Sequence, residues 1–484
     1  MFWQGWYSKM RRAKIVVTIG PATSKKKIIA QLIENGVNVF RLNFSHGDHK
    51  THASNIKKIR KASKKTGIEV AILQDISGPK VRIGEIDGVL KLKKSDIVIL
   101  SKEADDKNDK LLDISYPDII DMVNVGEEVF FSDGTIRTVV VDKKNDRLYL
   151  ELLTDGELTS HKGVNFPKTK ITISAITKKD EEDLKFGASQ DIDIVALSFV
   201  QTAQDIQKAK KILKKIDFNP MIVAKIETGM ALENLNSIMS ESHGVMVARG
   251  DLGAEFGVTK LPRIQKRIIA AANRANKPVI TATQMLTSMK ENPFPTRAEV
   301  SDIANAVYDG SDAVMLSDET AVGSYPIQAV QVLHDSIKDV EKEYPYVKEF
   351  MPENSSDAVA KAAVQLASSL KKEALVAFTT SGYSAKALSR YRPQVNIYAI
   401  SHSLKTHRQL NLVWGVQPLF VMKESDNPSK LLYDFVHKII EEKYIDISKR
   451  FVLTMGSATG KKGSTNFIRL LDKEGMKSVL KYRF

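Results

Sequence analysis

The sequence predicts an α/β protein made of an eight-stranded (β/α)8 TIM barrel, a small β-barrel lid domain inserted into it, and a C-terminal doubly wound α/β domain. Three observations support this prediction. Eight short apolar runs alternate with segments of helical periodicity, an insert of about 90 residues (79–166) lies between the third run and the fourth, and strand–helix alternation starts again after Tyr344. The length of 484 residues agrees with about two to four domains.

The eight apolar runs are the predicted barrel strands. Most of them are followed by a segment of helical periodicity, as in 260–276 and 297–309. Strand–helix units repeated in this way predict a closed parallel barrel. The runs occupy residues 15–19, 37–44, 70–73, 192–199, 221–226, 244–248, 278–283 and 313–317.

The segments between and after these runs define the other predicted domains. The long insert contains alternating valines, which is typical of a small antiparallel β module, and its place at a strand end suits a lid. Pro345 and Pro352 mark a linker before the last domain. We therefore expect an N-terminal tail in 1–13 with Met10 as a credible true start, the barrel in 14–79 and 167–345, the lid in 80–166, and the C-terminal domain in 346–484.

The composition excludes several classes of protein. Hydrophobic residues make up 43% and charged residues 27% of the chain, as in ordinary globular proteins. No apolar run is long enough to span a membrane, and the first residues lack the pattern of a secretory signal, so we expect no membrane partner. Cysteine is absent, which excludes disulfides, thiolate metal sites and cysteine nucleophiles and agrees with a cytoplasmic protein.

The net charge of +14 is concentrated at the start of the chain. Residues 1–66 contain 15 of the 72 Lys and Arg residues but only two acidic residues. A basic segment can bind nucleic acid, a membrane surface or an anionic substrate. Five of these lysines surround Ile56, Ile59 and Ala62 at helical spacing, so we expect a solvated helix face and no nucleic-acid partner. They are Lys57, Lys58, Lys61, Lys64 and Lys65.

Polar residues follow six of the predicted strands at their C-terminal ends, where barrel enzymes carry their chemistry. A single Asp at such a position is more often a helix cap than a site residue. Six neighbouring strand ends with such groups are hard to explain by capping. The groups are Arg41, Asn43, Ser45 and His46 after the second strand, Asp75 after the third, Lys225 and Glu227 at the fifth, Arg249, Gly250 and Asp251 after the sixth, Thr283 at the seventh, and Ser317, Asp318 and Glu319 at the eighth.

The residues at the fifth and sixth strand ends indicate a kind of chemistry. Glu227 and Asp251 are hard oxygen ligands on neighbouring strands, a donor set that suits Mg²⁺. Lys225 shares a face with Glu227, because side chains two residues apart on a strand point the same way. An ammonium beside a metal stabilises a phosphoryl group in transfer, and the amides of 250–253 can hold a carboxylate. The residues therefore indicate metal-assisted phosphoryl or enolate chemistry on a small anion.

Five long motifs carry a family resemblance. They are K-I-V-V-T-I-G-P-A-T at 14–23, R-L-N-F-S-H-G at 41–47, V-M-V-A-R-G-D-L-G at 245–253, A-T-Q-M-L at 282–286 and P-T-R-A-E-V-S-D at 295–302. On these motifs the chain resembles the pyruvate kinase family over essentially its whole length from Ala13. The resemblance implies a barrel, an inserted β lid and a C-terminal effector-binding domain, and transfer of a phosphoryl group from phosphoenolpyruvate to ADP. It also implies a homotetramer.

The resemblance further implies a role for each residue at the barrel mouth. Where many family members have Gly before Glu319, this chain has Asp318, which puts the local turn in question. The implied assignments are Lys225 for stabilising the transition state, Glu227 and Asp251 for binding Mg²⁺ or Mn²⁺, Arg41 for the phosphate, the amides of Gly250 and Asp251 for the substrate carboxylate, Thr283 for orienting the enolate, and His46, Arg82 and Lys179 for the nucleotide.

An effector loop is implied in the C-terminal domain. Its hydroxyls and amides precede a helix and form a phosphate cradle, so we expect activation by a phosphorylated metabolite. Tyr383 replaces a basic residue of the family in this loop, which favours a monophosphate over fructose 1,6-bisphosphate. The loop residues are Thr379, Thr380, Ser381, Gly382 and Ser384, with Lys461 on a second loop.

A monovalent-cation region is implied beside the mouth. Many family members bind K⁺ at positions that correspond here to Asn43, Ser45, Asp75 and Ile76. Members that need K⁺ commonly carry Glu where this chain has Lys80. The Lys80 ammonium can supply the positive charge from within the chain, and K⁺ beside it would bring like charges together. We therefore expect that K⁺ is not required.

Two other functions are compatible with parts of this pattern. A Mg²⁺-dependent aldolase or lyase acting on a pyruvate enolate also presents Glu and Asp on neighbouring barrel strands, but the long insert, Lys225 and the third domain argue against it. A non-catalytic nucleic-acid or scaffold protein would use the basic segment, but the complete set of groups at the strand ends argues against it.

Overall fold

The structure, a computed structural model, describes residues 11–103, 110–169, 171, 173–370, 374–425, 427–442, 450–456 and 465–481. The strands in this part of the chain are β1 (Lys14–Thr18), β2 (Val39–Asn43), β3 (Ala71–Asp75), β4 (Leu90–Leu92), β5 (Ile97–Ser101), β6 (Leu111–Asp113), β7 (Glu128–Phe131), β8 (Ile136–Lys144), β9 (Arg147–Leu152), β10 (Gly156–Leu158), β11 (Val164–Asn165), β12 (Ile194–Leu197), β13 (Met221–Ile226), β14 (Gly244–Ala248), β15 (Val279–Ala282), β16 (Ala313–Leu316), β17 (Ala374–Thr379), β18 (Ile397–Ser401), β19 (Val416–Val421), β20 (Phe451–Gly456) and β21 (Thr465–Leu471).

The α-helices of the same part vary from single turns to five turns. They span Lys26–Glu34, His49–Thr66, Ile119–Met122, Lys178–Ser189, Ala203–Lys215, Gly229–Glu233, Leu235–Glu241, Arg249–Phe256, Leu261–Arg274, Arg297–Asp309, Asp318–Ala321, Pro326–Val340, Ser355–Ser369, Tyr383–Arg390, Leu404–Gln409, Pro428–Glu441 and Lys473–Val479.

Eight parallel strands close into the predicted barrel. Their order around the barrel is β1, β2, β3, β12, β13, β14, β15 and β16, and β16 pairs with β1. Each predicted run overlaps one of these strands, so the fold class is confirmed. Helices cover the outside while side chains fill the inside, and strands buried on both faces read as continuous apolar runs.

The insert between β3 and β12 forms the lid. Its six-stranded sheet has the order β11-β7-β8-β9-β5-β6, a two-stranded sheet pairs β10 with β4, and its apolar side chains form a core of their own. The lid contacts the barrel at Gly134, where an added Cβ would lie 3.1 Å from the Cα of Ala254. Because Ala254 belongs to the same helix as Asp251, the lid rests against an element of the barrel mouth.

The C-terminal sheet has the order β19-β18-β17-β20-β21, with β21 antiparallel at one edge. This domain packs on the barrel face opposite the mouth, where the strands begin. Arg392 Nη2 lies 3.1 Å from Asp312 Oδ2, just before β16, and Arg408 Nε lies 2.9 Å from Glu69 Oε2. In addition, Lys14 Nζ, at the start of β1, donates to the Val416 carbonyl at 2.6 Å.

Two expectations about the first residues meet the structure differently. Arg11 and Ala13, which we expected in the N-terminal tail, are buried, and Arg11 donates to the Gly36 carbonyl and to Asn38. Residues 1–10 lie outside the described residues. The basic segment contains the helix His49–Thr66, with Ile56, Ile59 and Ala62 buried as predicted.

In the described part of the chain, no helix has the length and apolar character that crossing a membrane requires.

Candidate active site

Asp75 lies at the barrel mouth, where its carboxylate contacts side chains at three other strand ends: Arg41, Lys225 and Ser198, whose Oγ lies 3.4 Å from Asp75 Oδ1. Its Oδ2 accepts a hydrogen bond from Arg41 Nε at 2.7 Å, and its Oδ1 lies 3.4 Å from Lys225 Nζ. Lys225 Nζ also lies 2.8 Å from Glu227 Oε1 and donates to Ser198 Oγ at 2.7 Å. The expectation that these side chains converge at the mouth therefore agrees with the geometry.

The fourth barrel strand contributes residues that sequence reasoning missed. Ser198 follows β12; its hydroxyl donates to the Ile76 carbonyl at 2.7 Å while accepting from Lys225. Phe199 has a left-handed backbone (φ 53°), and its N–H donates to Glu227 Oε2 at 2.7 Å. The signal that could have found Ser198 is its position, because it lies at the end of the fourth predicted strand, for which we named no polar group.

The charges of this network stabilise one another. Burial alone lowers the pKa of Lys225, but Asp75 and Glu227 outweigh it and hold the pKa above its ordinary value. Burial raises the pKa of Asp75, but Lys225 and Arg41 outweigh it and the pKa stays below normal. The pKa of Glu227 is raised by burial, which Lys225 only partly offsets. Lys225 is therefore fixed as an ammonium at neutral pH.

Glu227 and Asp251 fit a divalent cation. Their donor set is two carboxylates, and the negative charge of Asp251 adds to the rise in the pKa of Glu227. A divalent cation between like charges would relieve that repulsion. Among the described residues, no group of three or more His, Asp or Glu side chains is arranged to hold a metal. Asp251 Oδ1 also lies 3.6 Å from Lys80 Nζ, so an ammonium from the start of the lid lies beside this carboxylate.

Thr283 and Gly250 meet at the sixth and seventh strand ends. The Gly250 N–H donates to Thr283 Oγ1 at 3.0 Å, and that hydroxyl donates to the Ala282 carbonyl at 2.7 Å. The amides of 250–253, which we expected to hold a carboxylate, lie in the first part of the helix Arg249–Phe256. Arg249 does not point into the mouth as expected: it is only 5% exposed and binds backbone carbonyls beneath the loop after β15.

The eighth strand end accommodates the aspartate that departs from the family pattern. Asp318 starts the short helix Asp318–Ala321, where a carboxylate in the first turn is favourable. The neighbouring Glu319 is buried and accepts hydrogen bonds from Ser317 N at 2.7 Å and Leu286 N at 3.0 Å. The turn is thus held by Glu319.

The three residues expected at the nucleotide lie just after β2, in the lid, and in the first turn of the helix Lys178–Ser189 that follows the lid. Lys179 Nζ donates to the Phe44 carbonyl at 2.9 Å and to Asp183 at 2.7 Å. His46 is exposed just after β2. Arg82 is in the lid, where its Nη1 donates to the His161 carbonyl at 2.9 Å. In the described part of the chain, these three side chains do not contact one another.

The positions that correspond to the monovalent-cation region already have partners. Asn43 Oδ1 accepts from Ser45 N at 3.2 Å, and the Ile76 carbonyl accepts from Ser198 Oγ. Both carboxylate oxygens of Asp75 face cationic side chains, as described above.

The effector loop connects β17 to the helix Tyr383–Arg390. Gly382 has a left-handed backbone (φ 81°) directly before the helix, and Ser384 Oγ lies 2.6 Å from Thr465 Oγ1. Thr380, Ser381 and Gly382 line a cavity of about 290 Å³ that the barrel closes from the other side with residues such as Asn219 and His243. Lys461 lies outside the described residues.

Comparisons with known proteins decide the family. The model of the pyruvate kinase barrel domain matches residues 10–330, and that of the pyruvate kinase alpha/beta domain matches residues 357–471. The chain belongs to the pyruvate kinase family. This confirms the resemblance found in the motifs and makes the protein an enzyme of the phosphotransferase class.

Similarity to individual pyruvate kinases extends along the chain. The chain is 40% identical over 477 residues to pyruvate kinase 2 of Synechocystis sp., covering 97% of this chain and 80% of the relative. It is 40% identical over 472 residues to the pyruvate kinase of Staphylococcus saprophyticus, covering 95% and 80%. A crystal structure of a pyruvate kinase from Cryptosporidium parvum superimposes with a TM-score of 0.88 at 32% identity, covering 96% of each chain.

Proposed function

We propose that this site transfers the phosphoryl group of phosphoenolpyruvate to ADP and yields pyruvate and ATP. The observation that carries the proposal is the Lys225 ammonium, which lies between Asp75, Glu227 and Ser198 and is also influenced by the charge of a third carboxylate, Asp251. A permanently charged donor fixed at this point can stabilise the charge of a phosphoryl group in flight without moving.

The neighbouring side chains hold the substrate around Lys225. Asp75 and Thr18 orient the Arg41 guanidinium through Nε and Nη1, and the phosphate binds to the remaining edge of the fork. The substrate carboxylate takes the Gly250 and Asp251 amides at the helix start. It thereby replaces the Thr283 hydroxyl as acceptor of the Gly250 N–H, and the hydroxyl turns to the enolate. Mg²⁺ or Mn²⁺, held by Glu227 and Asp251, would neutralise substrate oxygens.

The nucleotide contacts the opposite side of the mouth. We assign His46, Lys179 and the lid residue Arg82 to ADP, and a closed lid would bring Arg82 towards the barrel and keep water out of the site. We assign residues 80–166 to a lid domain and residues 346–484 to an effector domain, both distinct from the catalytic barrel.

An assay of the two candidate chemistries tests this function. The purified protein with Mg²⁺, phosphoenolpyruvate and ADP should form pyruvate and ATP in equal amounts, and Glu227→Gln should lose this activity. The aldolase or lyase alternative predicts instead that pyruvate is released by carbon–carbon cleavage of a 2-oxo acid without ADP. Cleavage without ATP formation would refute the proposal.

We also propose that the enzyme needs no K⁺. The support is the Lys80 ammonium 3.6 Å from Asp251, together with the full pairing of Asp75 by Arg41 and Lys225. A cation added to this region would meet three positive side chains.

Activity in tetramethylammonium buffer with saturating Mg²⁺ and substrates tests this proposal. The enzyme should be nearly fully active without K⁺, whereas Lys80→Glu should lower activity and make it respond to K⁺. Lys168→Glu is the matched control, because Lys168 is a lid-side lysine paired with Glu128 at 3.2 Å and not with Asp251. Strong activation of the unmutated enzyme by K⁺ would refute the proposal.

For regulation, we propose that the loop Thr379–Ser384 binds a phosphorylated sugar or nucleoside monophosphate and activates the enzyme. The cavity beside Thr380, Ser381 and Gly382 supports this assignment. Ser381→Asp places a negative charge in the phosphate cradle and should abolish activation, while Ser425→Asp, on a loop before another helix of the domain, should not. If calorimetry shows no binding of any phosphorylated metabolite, the site is misplaced.

The expected homotetramer has support from exposed apolar side chains. Phe294 is 78% exposed just before the helix Arg297–Asp309, and Phe467 and Leu470 are exposed on the edge strand β21. Edges and patches of this kind favour association. Light scattering should give the mass of four chains, and Phe294→Asp should reduce it.

A further inference from the structure

The loop after β15 holds two consecutive residues in an unfavourable backbone conformation. Thr283 and Gln284 have φ values of 66° and 54°, in the left-handed region that favours glycine. Thr283 is moreover β-branched, for which this region is a marked outlier. A conformation of this kind persists only where surrounding contacts impose it, and such positions concentrate at functional sites.

Arg249 supplies those contacts from beneath the loop. Its Nε donates to the carbonyls of Ala282 at 3.2 Å and Thr283 at 3.1 Å, and its Nη2 donates to the Gln284 carbonyl at 2.9 Å. A further bond joins Nη2 to the Thr283 carbonyl. Three successive carbonyls therefore point to one guanidinium. In an extended strand successive carbonyls point in alternate directions, so this arrangement requires the left-handed turn.

Asp302 fixes the guanidinium from the far side. It forms an ion pair with Arg249 Nη1, and it lies on the helix Arg297–Asp309 that follows the loop. The planar fork of arginine presents several donors in fixed directions, which the single ammonium of lysine cannot reproduce. Lysine at this position would keep the positive charge but would not reproduce the hydrogen bonds to the three carbonyls.

Arg249, with the three carbonyls that it binds and its partner Asp302, forms a clamp that is connected to the barrel mouth through the next residue, Gly250. Gly250 follows Arg249 in the chain, and its N–H donates to Thr283 Oγ1 at 3.0 Å. One helix start therefore contacts both the backbone carbonyl and the hydroxyl of Thr283. When the substrate carboxylate takes the Gly250 N–H, the contact of Arg249 with the backbone carbonyl remains. Any shift of the Thr283 backbone moves the hydroxyl relative to the substrate, and a shift of about 1 Å can cost roughly 100-fold in rate.

We propose that Arg249 is a positioning residue: with Asp302, it imposes the left-handed turn that aims the Thr283 hydroxyl at the reacting substrate. The proposal rests on the proposed function, because it acts through Thr283. It predicts a loss in kcat and little change in KM for phosphoenolpyruvate, since the carboxylate and phosphate contacts are made by other groups.

Steady-state kinetics of four variants tests the proposal in the full-length enzyme. Arg249→Lys should lower kcat by about 10- to 100-fold with KM within about threefold, and Thr283→Ala should lower kcat by at least as much. The double variant should be no slower than Thr283→Ala alone, because the clamp has nothing left to position. Asp302→Asn keeps Arg249 but removes its ion pair, and should lower kcat by about three- to tenfold; it carries the test if Arg249→Lys does not fold.

Arg60→Lys is the matched control for a merely structural role. Arg60 also joins a carboxylate to backbone: it donates to Asp193 at 2.7 Å and to the Val70 carbonyl at 2.9 Å, at the opposite end of the barrel. It should lower the melting temperature without lowering kcat.

Three outcomes would overturn the proposal. Near-parental kcat in Arg249→Lys and Asp302→Asn, with a slow Thr283→Ala, would show that Thr283 needs no clamp while leaving the proposed function intact. Independent losses that multiply in the double variant would show that Arg249 acts by another route. A fully active Thr283→Ala would remove the proposed role of Thr283 itself, and the positioning role with it.

Discussion

Replacing Lys225 by methionine keeps an unbranched side chain of similar volume and removes the ammonium. In the folded enzyme that ammonium lies 2.8 Å from Glu227 and 3.4 Å from Asp75, and its side chain is 14% exposed. Breaking a buried ion pair from one side costs about 3–5 kcal/mol, so the free energy of unfolding should fall by an amount in that range. The loss of a preorganised electrostatic donor should independently lower kcat by about 100- to 1000-fold.

The two losses can be separated by assay. KM for phosphoenolpyruvate should change little, because the missing interaction belongs to the transition state. Without Lys225, the pKa values of Glu227 and Asp75 should rise. When the pH is lowered, the activity of the variant should therefore begin to fall at a higher pH than that of the parent enzyme. Lys277→Met, which removes a half-buried lysine bound to the Ser242 carbonyl, is the control for stability alone. A Lys225→Met variant that melts early but keeps near-parental kcat would refute the catalytic role and leave Lys225 as a structural partner of Glu227.

Three other predictions concern stability. Burial raises the pKa of Glu255 from 4.5 to about 7, only partly offset by the Gly229 N–H, so the folded state binds more protons than the unfolded state between these pH values. The free energy of unfolding of the parent should therefore fall by up to about 3 kcal/mol as pH rises through this window. The free energy of unfolding of Glu255→Gln should fall less, which denaturant unfolding at several pH values would measure. Arg392→Met leaves Asp312 buried without its cation and should cost about 3–5 kcal/mol; a cost below about 1 kcal/mol would contradict the assigned domain contact. Gly20→Ala would place a Cβ 2.4 Å from the Ala321 carbonyl oxygen and should cost about 1–3 kcal/mol, measured by thermal unfolding.

The fold could be predicted because its signals are local. The barrel strands are unbroken apolar runs, and the predicted helix 297–309 agrees with the observed Arg297–Asp309, which begins at a capping box formed by Thr296 and Glu299. The mouth could be predicted in outline, since parallel strands bring their C-terminal ends together whatever the details of packing.

Side-chain direction could not be predicted in the same way. Arg249 stands in a motif beside Gly250 and Asp251, yet it turns under the neighbouring loop because Asp302, 53 positions later, attracts its guanidinium. The contact between Lys80 and Asp251 depends on how the lid folds back over the barrel, which no local pattern contains. Ser198 was missed because a serine at the end of an apolar run looks like an ordinary cap until Lys225 is placed beside it.

The helix Arg297–Asp309 lies at the surface, but its tolerance of substitution should not be that of a surface helix. Glu299 closes its own capping box and also accepts from Ser288 N at 2.8 Å, and Asp302 holds Arg249, so two of its acidic residues anchor the loop that carries Thr283. Exposed positions such as Ala298, Ser301 and Asn305 make no such connection. A complete mutational scan of this helix should therefore show a striped pattern, with tolerant positions between two that fail in activity before they fail in folding.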